Sequence, residues 1–346
     1  MSRVDVIVPC YNYGRFLREC VESVLTQPVD VRVLIIDDAS TDDTPEVAVA
    51  LAAEDARVEF RRHAVNRGHI ATYNEGLEWV TGDYNLLLSA DDLLVEGALL
   101  RASRFMDANP DVGLVYGRVV WFRTDHARPA VEIEGAENGL AIISGMVWLE
   151  SLCNEGQNPI TSPEAIVRTR LQKELGGYHR QLPHTADMEM WMRFAVHSNV
   201  GRLEAPQAYY RIHGQNMSEA LCEKFAFSKL NTRDFAERKE AFDLLFREQR
   251  QALPDCDRLQ RLAHEGLAWN AFWYAHKLFD QGDLFGCRAF LGIATELFPG
   301  IVARPEWSRM RWKQRLGPKV WSKLSHVVRA IRSSRTRSSD LVAALF

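Results

Sequence analysis

Long apolar runs and paired cysteines are both missing from this sequence. No apolar stretch in the 346 residues reaches the length that spans a bilayer, so no transmembrane helix is expected. The six cysteines (Cys10, Cys20, Cys153, Cys222, Cys256, Cys287) are scattered and form no CxxC pair. That spacing argues against a zinc site or a disulfide framework and fits a reducing compartment. An excess of one charge is missing too. Lys and Arg number 42 against 46 Asp and Glu, a net charge of -4 with no global case for nucleic-acid binding. The opening residues Met1-Ser2-Arg3-Val4-Asp5 enter a strand pattern without a signal-peptide core, which predicts a cytoplasmic protein. Neither G-x-G-x-x-G nor G-x-x-x-x-G-K-[ST] occurs after the first strand. The loop there is Pro9-Cys10-Tyr11-Asn12-Tyr13-Gly14, so NAD and P-loop nucleotide binding are disfavoured.

What is present is a hydrophobic content of 47%, enough for one large domain and a smaller one. The central stretch is Tyr84 to Leu94, an apolar run that reads as a strand buried on both faces and closes on Asp91-Asp92. Two acids at a strand end are costly to bury unpaired, and a divalent cation offsets that cost. The plainer reading of the pair is a solvated turn, with Asp92 capping the segment from Leu93. Upstream, strands are expected at Val4 to Pro9, Val31 to Ile36 and Val58 to Arg61. Helices are expected at Arg15 to Gln27, Pro45 to Ala53 and Ile70 to Val80. This alternation predicts a mainly parallel sheet with helices on both faces. In such sheets ligands sit beyond the carboxyl ends of the strands. Those ends offer Tyr11, Asp38 and Ser40, groups that stack on a base or accept its N–H bonds. Each alone reads equally well as turn or loop packing.

Taken as a set, Val6-Ile7-Val8-Pro9-Cys10-Tyr11-Asn12, Ile36-Asp37-Asp38-Ala39-Ser40-Thr41-Asp42, Asn66-Arg67-Gly68 and Leu88-Ser89-Ala90-Asp91-Asp92 resemble family 2 glycosyltransferases of the GT-A fold. The likeness covers roughly the first 220 residues. It implies an inverting enzyme with a nucleotide-diphosphate-sugar donor, a UDP-sugar first, and a divalent metal, Mn²⁺ or Mg²⁺. By motif position Asp38 is expected at the base, and Asp91 and Asp92 at the metal and ribose-phosphate. Further nucleotide-sugar contacts are implied for Pro9, Tyr11, Asn12, Ser40, Arg67, Gly68, Ala90 and Arg211. Many members carry an acid two residues before the position of Asp91; here that residue is Ser89.

Further along, Leu114 to Phe122 reads as a strand and Arg123 to Leu140 as a polar loop. Ile142 to Cys153 reads as a helix, Ala165 to Val167 as a short strand, and Arg168 to Leu175 as a helix closed by Gly176-Gly177. The segment Thr185 to Phe194 places Trp191 and Phe194 on one helix face behind Asp187. An acid at a helix N-terminus is favoured by the dipole alone. The block also resembles the family's acid-Asp segment followed by W-x-R, which implies that Asp187 is the general base; the acid usually preceding it is Ala186 here. Val200 to Leu203 is a further strand. Tyr210-Arg211-Ile212-His213 resembles the family's Y-R-x-H segment, which makes His213 a candidate third metal ligand and Arg211 a neutraliser of phosphate charge.

After about Cys222 the strand signal stops. Helices are expected at Phe225 to Gln251, Leu259 to Asp280 and Leu284 to Leu297, and the stretch Ala275 to Pro299 weakly resembles a single tetratricopeptide-type unit that packs on the catalytic domain or on a partner. From Trp307 the chain is basic with interleaved tryptophans, which fits either a membrane-surface helix or a solvated helix packed on the protein. Ser333 to Ser339 reads as flexible. The expected division is 1–222 as the GT-A catalytic domain, 223–300 as a helical extension, and 301–346 as a basic amphipathic helix and tail. The acceptor implied by the family is a glycan or glycolipid in surface polysaccharide assembly. A homo-oligomer and contact with the inner face of the membrane are compatible with the sequence. Two rival readings remain open at this point, a sugar-phosphate nucleotidyltransferase and a non-catalytic scaffold.

Overall fold

The computed structural model describes residues 2–131, 139–214, 216 and 232–321. Its nine strands form one sheet in the order β3-β2-β1-β4-β8-β6-β9-β5, with β7 paired to β9. The N-terminal half is β1 (Arg3–Cys10), α1 (Gly14–Leu25), β2 (Asp30–Asp37), α2 (Thr44–Glu54), β3 (Val58–Arg62), α3 (His69–Trp79) and β4 (Tyr84–Leu87). Strands β3, β2, β1 and β4 run parallel, in register from Arg3 opposite Asp30 to Cys10 opposite Asp37. The pleat explains the continuous apolar runs. Val4, Val6, Val8, Val33 and Ile35 point to one face, against Leu17 and Val21 of α1. Ile7, Leu34 and Ile36 point to the other, against Ile70 and Leu77 of α3. Both faces are covered, as a parallel sheet requires.

The second half departs from the sequence expectations in three places. The stretch Tyr84 to Leu94 is two strands. β4 stops at Leu87, Asp91 and Asp92 occupy the turn, and β5 (Leu93–Leu94) pairs antiparallel with a later strand. Asp92 therefore caps no helix; α4 (Ala98–Ala108) starts beyond Gly97. Ile142 to Cys153 is likewise two elements, β7 (Leu140–Ile143) and α5 (Gly145–Glu155). A Cβ on Gly145 would run into the carbonyls of Ala195 and Ser198, so this glycine lets α5 begin in close contact with the following helix layer. The short strand expected at Val200 is the start of β9 (Asn199–Ile212), which runs through Pro206 and delivers Arg211 to the sheet end. Pro206 is tolerated because the pairing with β6 (Val112–Arg123) slips at Tyr116 to Val119, an irregularity where a missing N–H costs little. β8 (Ile166–Arg168), α6 (Thr169–Leu175) and α7 (Ala186–His197) complete this half. α6 closes on Gly176 at φ +86°, ψ −168°, a positive-φ conformation open to glycine but extended in ψ, in place of an αL cap.

The remaining helices are α8 (Thr232–Glu248), α9 (Cys256–Asp280), α10 (Leu284–Leu297) and α11 (305–321). Phe242, Phe246, Leu259 and Leu267 join Trp148, Trp191 and Phe194 in the core on one face of the sheet. The far half of α9, with Phe272 and Phe279, instead joins Phe290, Ile301 and Met310 in a separate core. Helix α9 thus belongs to both. The expected helix start at Phe225, the centre of the polar loop after Arg123, and the basic and serine-rich tail beyond Trp321 lie outside the described residues.

Candidate active site

Three loops meet at the carboxyl ends of the parallel strands. Asn12 sits at φ 59° and Ala39 at φ 63°, both in the left-handed region that costs energy without glycine. The strain is held by a clasp between the first two loops. The Asn12 N–H donates to Ser40 Oγ at 2.8 Å, and Asn12 Oδ1 accepts from the Thr41 N–H at 2.8 Å. Pro9 precedes this clasp within β1, opposite Ile36, and Tyr11 stands beside it, 47% exposed. Asp38 is buried and draws in the third loop. Its Oδ1 accepts from the Arg67 N–H at 2.7 Å and lies 2.6 Å from His63 Nδ1; its Oδ2 accepts from the Gly68 N–H at 2.9 Å. Three donors leave a carboxylate with about one free acceptor direction out of four. Arg67 turns its guanidinium to Glu75 at 2.7 Å. Asp38, Arg67 and Gly68 are thus brought together, with Asp38 as their organiser.

The acidic pair lies after β4, two strands over from Asp38 with β1 between. Asp91 and Asp92 are both buried, with Ala90 packed beneath them. Asp91 Oδ2 is 3.0 Å from His213 Nε2 and accepts from Asn216 Nδ2 at 3.3 Å. Asp92 Oδ1 accepts from the Arg211 backbone N–H at 2.9 Å, which commits that oxygen to β9. Burial, and then the neighbouring Asp91, push the Asp92 carboxyl well above the usual range. Arg211 is sandwiched between the rings of Phe16 and Phe122, each 4.7 Å from its guanidinium. It donates to the Asp91 carbonyl at 2.8 Å and to Glu19 at 2.6 Å. The His213 ring is wedged against Tyr13 and Phe16, at 5.3 and 5.0 Å between centroids. Among the described residues no group of three or more His, Cys, Asp or Glu side chains gathers into a ready cation cage.

Asp187 lies in the first turn of α7, where the helix N-terminus favours negative charge. Its Oδ1 accepts from the Met188 N–H at 2.7 Å. Its Oδ2 accepts from Asn158 Nδ2 at 3.1 Å and Ser162 Oγ at 3.2 Å. Burial raises its affinity for a proton, and these three hydrogen bonds pull the other way. Ala186 is buried in the core, so the position before Asp187 faces packing rather than the cleft. Tyr73 of α3 links the two acidic groups. Burial raises its phenol most, and the charges of Asp187, Asp91 and Asp92 add to that rise. All three carboxylates thus act electrostatically on one phenol. Tyr73 packs edge-on against His69 and Tyr178, with centroids 5.4 and 5.6 Å away.

Sequence reasoning missed Asn158, Ser162 and Tyr73. The only signal for the first was the turn composition ahead of Pro159. Tyr73 lies within a helix pattern and carried no signal at all.

Comparison with known proteins places the chain. Residues 5–158 match the model of glycosyl transferase family 2. Glycosyltransferase GlyG of Streptococcus pneumoniae is 33% identical over 118 residues, 33% of this chain and 39% of that protein. The chain spans between a third and 63% of the length of the first curated relatives it matches. Among solved structures, residues 1–349 of S. aureus TarS, in complex with UDP-GlcNAc, superpose with a TM-score of 0.62 at 17% identity, covering 87% of this chain and 82% of that one. Mannosyltransferase PcManGT of Pyrobaculum calidifontis, in complex with GDP-Man and Mn²⁺, gives a TM-score of 0.52 at 18% identity, covering 91% and 84%. Residues 5–158 belong to glycosyltransferase family 2, within a GT-A fold that continues beyond them.

Proposed function

We propose that the chain is an inverting, metal-dependent glycosyltransferase. It moves a sugar from a nucleotide-diphosphate donor, a UDP-sugar first, to a hydroxyl of a glycan or glycolipid acceptor in surface polysaccharide assembly. The observation that carries this reading is two acids held in separate hydrogen-bond networks, Asp91 against His213 and Asn216, and Asp187 against Asn158 and Ser162. A group transfer of this kind needs one site that neutralises the leaving diphosphate and another that removes a proton from the incoming hydroxyl.

Asp91 and His213 fit a cation. A carboxylate oxygen and an imidazole nitrogen, on buried side chains and 3.0 Å apart, are donors that would hold Mn²⁺. Bound there, the ion supplies positive charge against the leaving diphosphate. Asp92 holds the Arg211 backbone, and Arg211 holds the Asp91 carbonyl, so both fix the turn that aims Asp91. Asp38 accepts a base N–H with its remaining lone pair while keeping Arg67 and Gly68 in place, and exposed Tyr11 offers a stacking face beside it. Asp187 takes the proton of the acceptor hydroxyl as that oxygen attacks the anomeric carbon opposite the leaving group. Its raised proton affinity strengthens it as a base, and Asn158, Ser162 and the Met188 N–H keep it aimed. PcManGT with GDP-Man and Mn²⁺, and TarS with UDP-GlcNAc, support a nucleotide-sugar donor on this fold.

The test is thermal stability against a panel of nucleoside diphosphates and nucleotide sugars, with and without Mn²⁺ or Mg²⁺. A ligand that binds only the folded state raises the midpoint. One nucleotide is expected to give a metal-dependent rise, abolished by Asp91→Asn and by His213→Ala. No rise with any nucleotide contradicts the proposal.

A further inference from the structure

Helix α11 sorts its side chains into two faces that serve different purposes. Trp307, Met310 and Trp321 pack into the core formed by the far half of α9 and by α10. Lys313 joins them, only 6% exposed, with its ammonium 2.9 Å from Asp280 and 5.0 Å from the Trp321 ring. The inward face is therefore satisfied, including its one buried charge. The outward face is not. Arg309, Arg311, Trp312, Arg315 and Lys319 are all exposed. Up to Gly317, which takes φ +74°, a turn of about 3.6 residues puts Arg311, Trp312 and Arg315 on the arc opposite Met310 and Lys313, with Arg309 on its flank beside Lys313. Trp312 is 61% exposed, with the Arg315 guanidinium 5.7 Å from its ring, and Val320 beyond it is 49% exposed. No ion pair involving Arg309, Arg311, Arg315 or Lys319 occurs among the described residues. Arg304, just before the helix, does have one, with Glu265 at 3.0 Å.

A solvated helix exposes charge for solubility but has no reason to expose tryptophan among it. In a chain of net charge -4, these cations run against the overall sign. We infer that the outer face of α11 is a docking surface for an anionic lipid bilayer, with Arg309, Arg311, Arg315 and Lys319 against the headgroups and Trp312 at the headgroup boundary. Cations near an anionic leaflet and an indole at its interface attract a surface helix together, and neither suffices alone. The buried Lys313 takes no part. This goes beyond sugar transfer and does not depend on it.

The test is co-sedimentation of the full chain with vesicles of phosphatidylglycerol and phosphatidylcholine, against vesicles of phosphatidylcholine alone. Binding is expected to the first and not the second. Each neutralised cation near the surface is worth about fivefold in partitioning. Arg311→Gln, Arg315→Gln and Lys319→Gln combined should thus weaken binding by well over ~10-fold, and Trp312→Ala by several-fold at unchanged charge. All four positions are exposed, so the melting midpoint should stay where it is, and that is measured alongside. The proposal is overturned if the triple variant binds like the parent, if both vesicle types bind equally, or if the face retains heparin or RNA while vesicles stay unbound.

Discussion

At the carboxyl end of the sheet the buried charges find partners far away in sequence. Asp38 takes the amide of Arg67, Asp91 takes His213 across 122 residues, and Asp92 takes the amide of Arg211 across 119. In helices α8 to α11 the buried charges among the described residues are Glu237, Arg238 and Lys313. The first two pair one helical turn away, with Arg233 and Asp234. The difference teaches what each region is for. The ion pairs of Glu237 and Arg238 are local to one helix, and their further bonds, from the His184 N–H to Glu237 at 2.9 Å and from Arg238 to the Gly156 carbonyl at 2.8 Å, fasten that helix to the sheet domain. The pairs of Asp91 with His213 and of Asp92 with Arg211 form only once β9 has joined the sheet, with β8 and β6 between it and β4, so these acids are aimed by the completed sheet. Helix α9 joins the two regimes, its near half in the core behind Asp187 and its far half in the helical core.

Breaking the helical core is the largest test of that separation. Phe272→Ala empties a fully buried site in the helical core and should cost about 3–5 kcal/mol of stability in denaturant unfolding. Nucleotide-sugar affinity, measured on the folded fraction, should be unchanged. A parallel loss of affinity would mean that the two regions are one unit.

A smaller effect concerns Glu164, buried where a short 3₁₀ turn (Ser162–Glu164) meets the sheet; burial pushes its carboxyl up to about 8. The native state then holds a proton that the unfolded state releases above about pH 4.5, so stability falls as pH rises from there through about 8. Glu164→Gln keeps an acceptor for the Thr161 N–H at 2.9 Å and removes the titration. It should be more stable than the parent at pH 8, by on the order of a few kcal/mol, and nearly equal to it at pH 4. Equal stability at both pH values would show that the carboxyl is not held protonated.

The smallest effect sharpens the site itself. Asn158→Ala removes a donor that favours the charged form of Asp187. The acid limb of the rate profile should move to higher pH, by less than about one unit, with activity largely recovered on the alkaline side. An unmoved limb would leave Asn158 a packing residue only.

Much of the parallel half was legible in sequence because its signals are local: β-branched runs and Pro45 at the start of α2. The motif positions from Pro9 to Asp92 were legible for the same reason, since each block sits on one strand end. The Asp91 turn was misread because an apolar run does not say where hydrogen bonding switches from β1 to β9. The continuation of β9 through Pro206 was hidden because a proline argues against a central strand unless the partner's register slips. Beyond the turn composition around Asn158, neither it nor Tyr73 carried a signal, because their relevance depends on which carboxylate they face, and that is decided by contacts across the whole domain.

The proposed division of labour assigns Asp91 to the donor and Asp187 to the acceptor. Calorimetric titration of Asp187→Asn with the nucleotide sugar and Mn²⁺, read beside its turnover, tests that division most directly. The account predicts donor affinity within about twofold of the parent and turnover reduced by about 10²–10⁴-fold. Near-normal turnover, or loss of donor binding in step with activity, would contradict it.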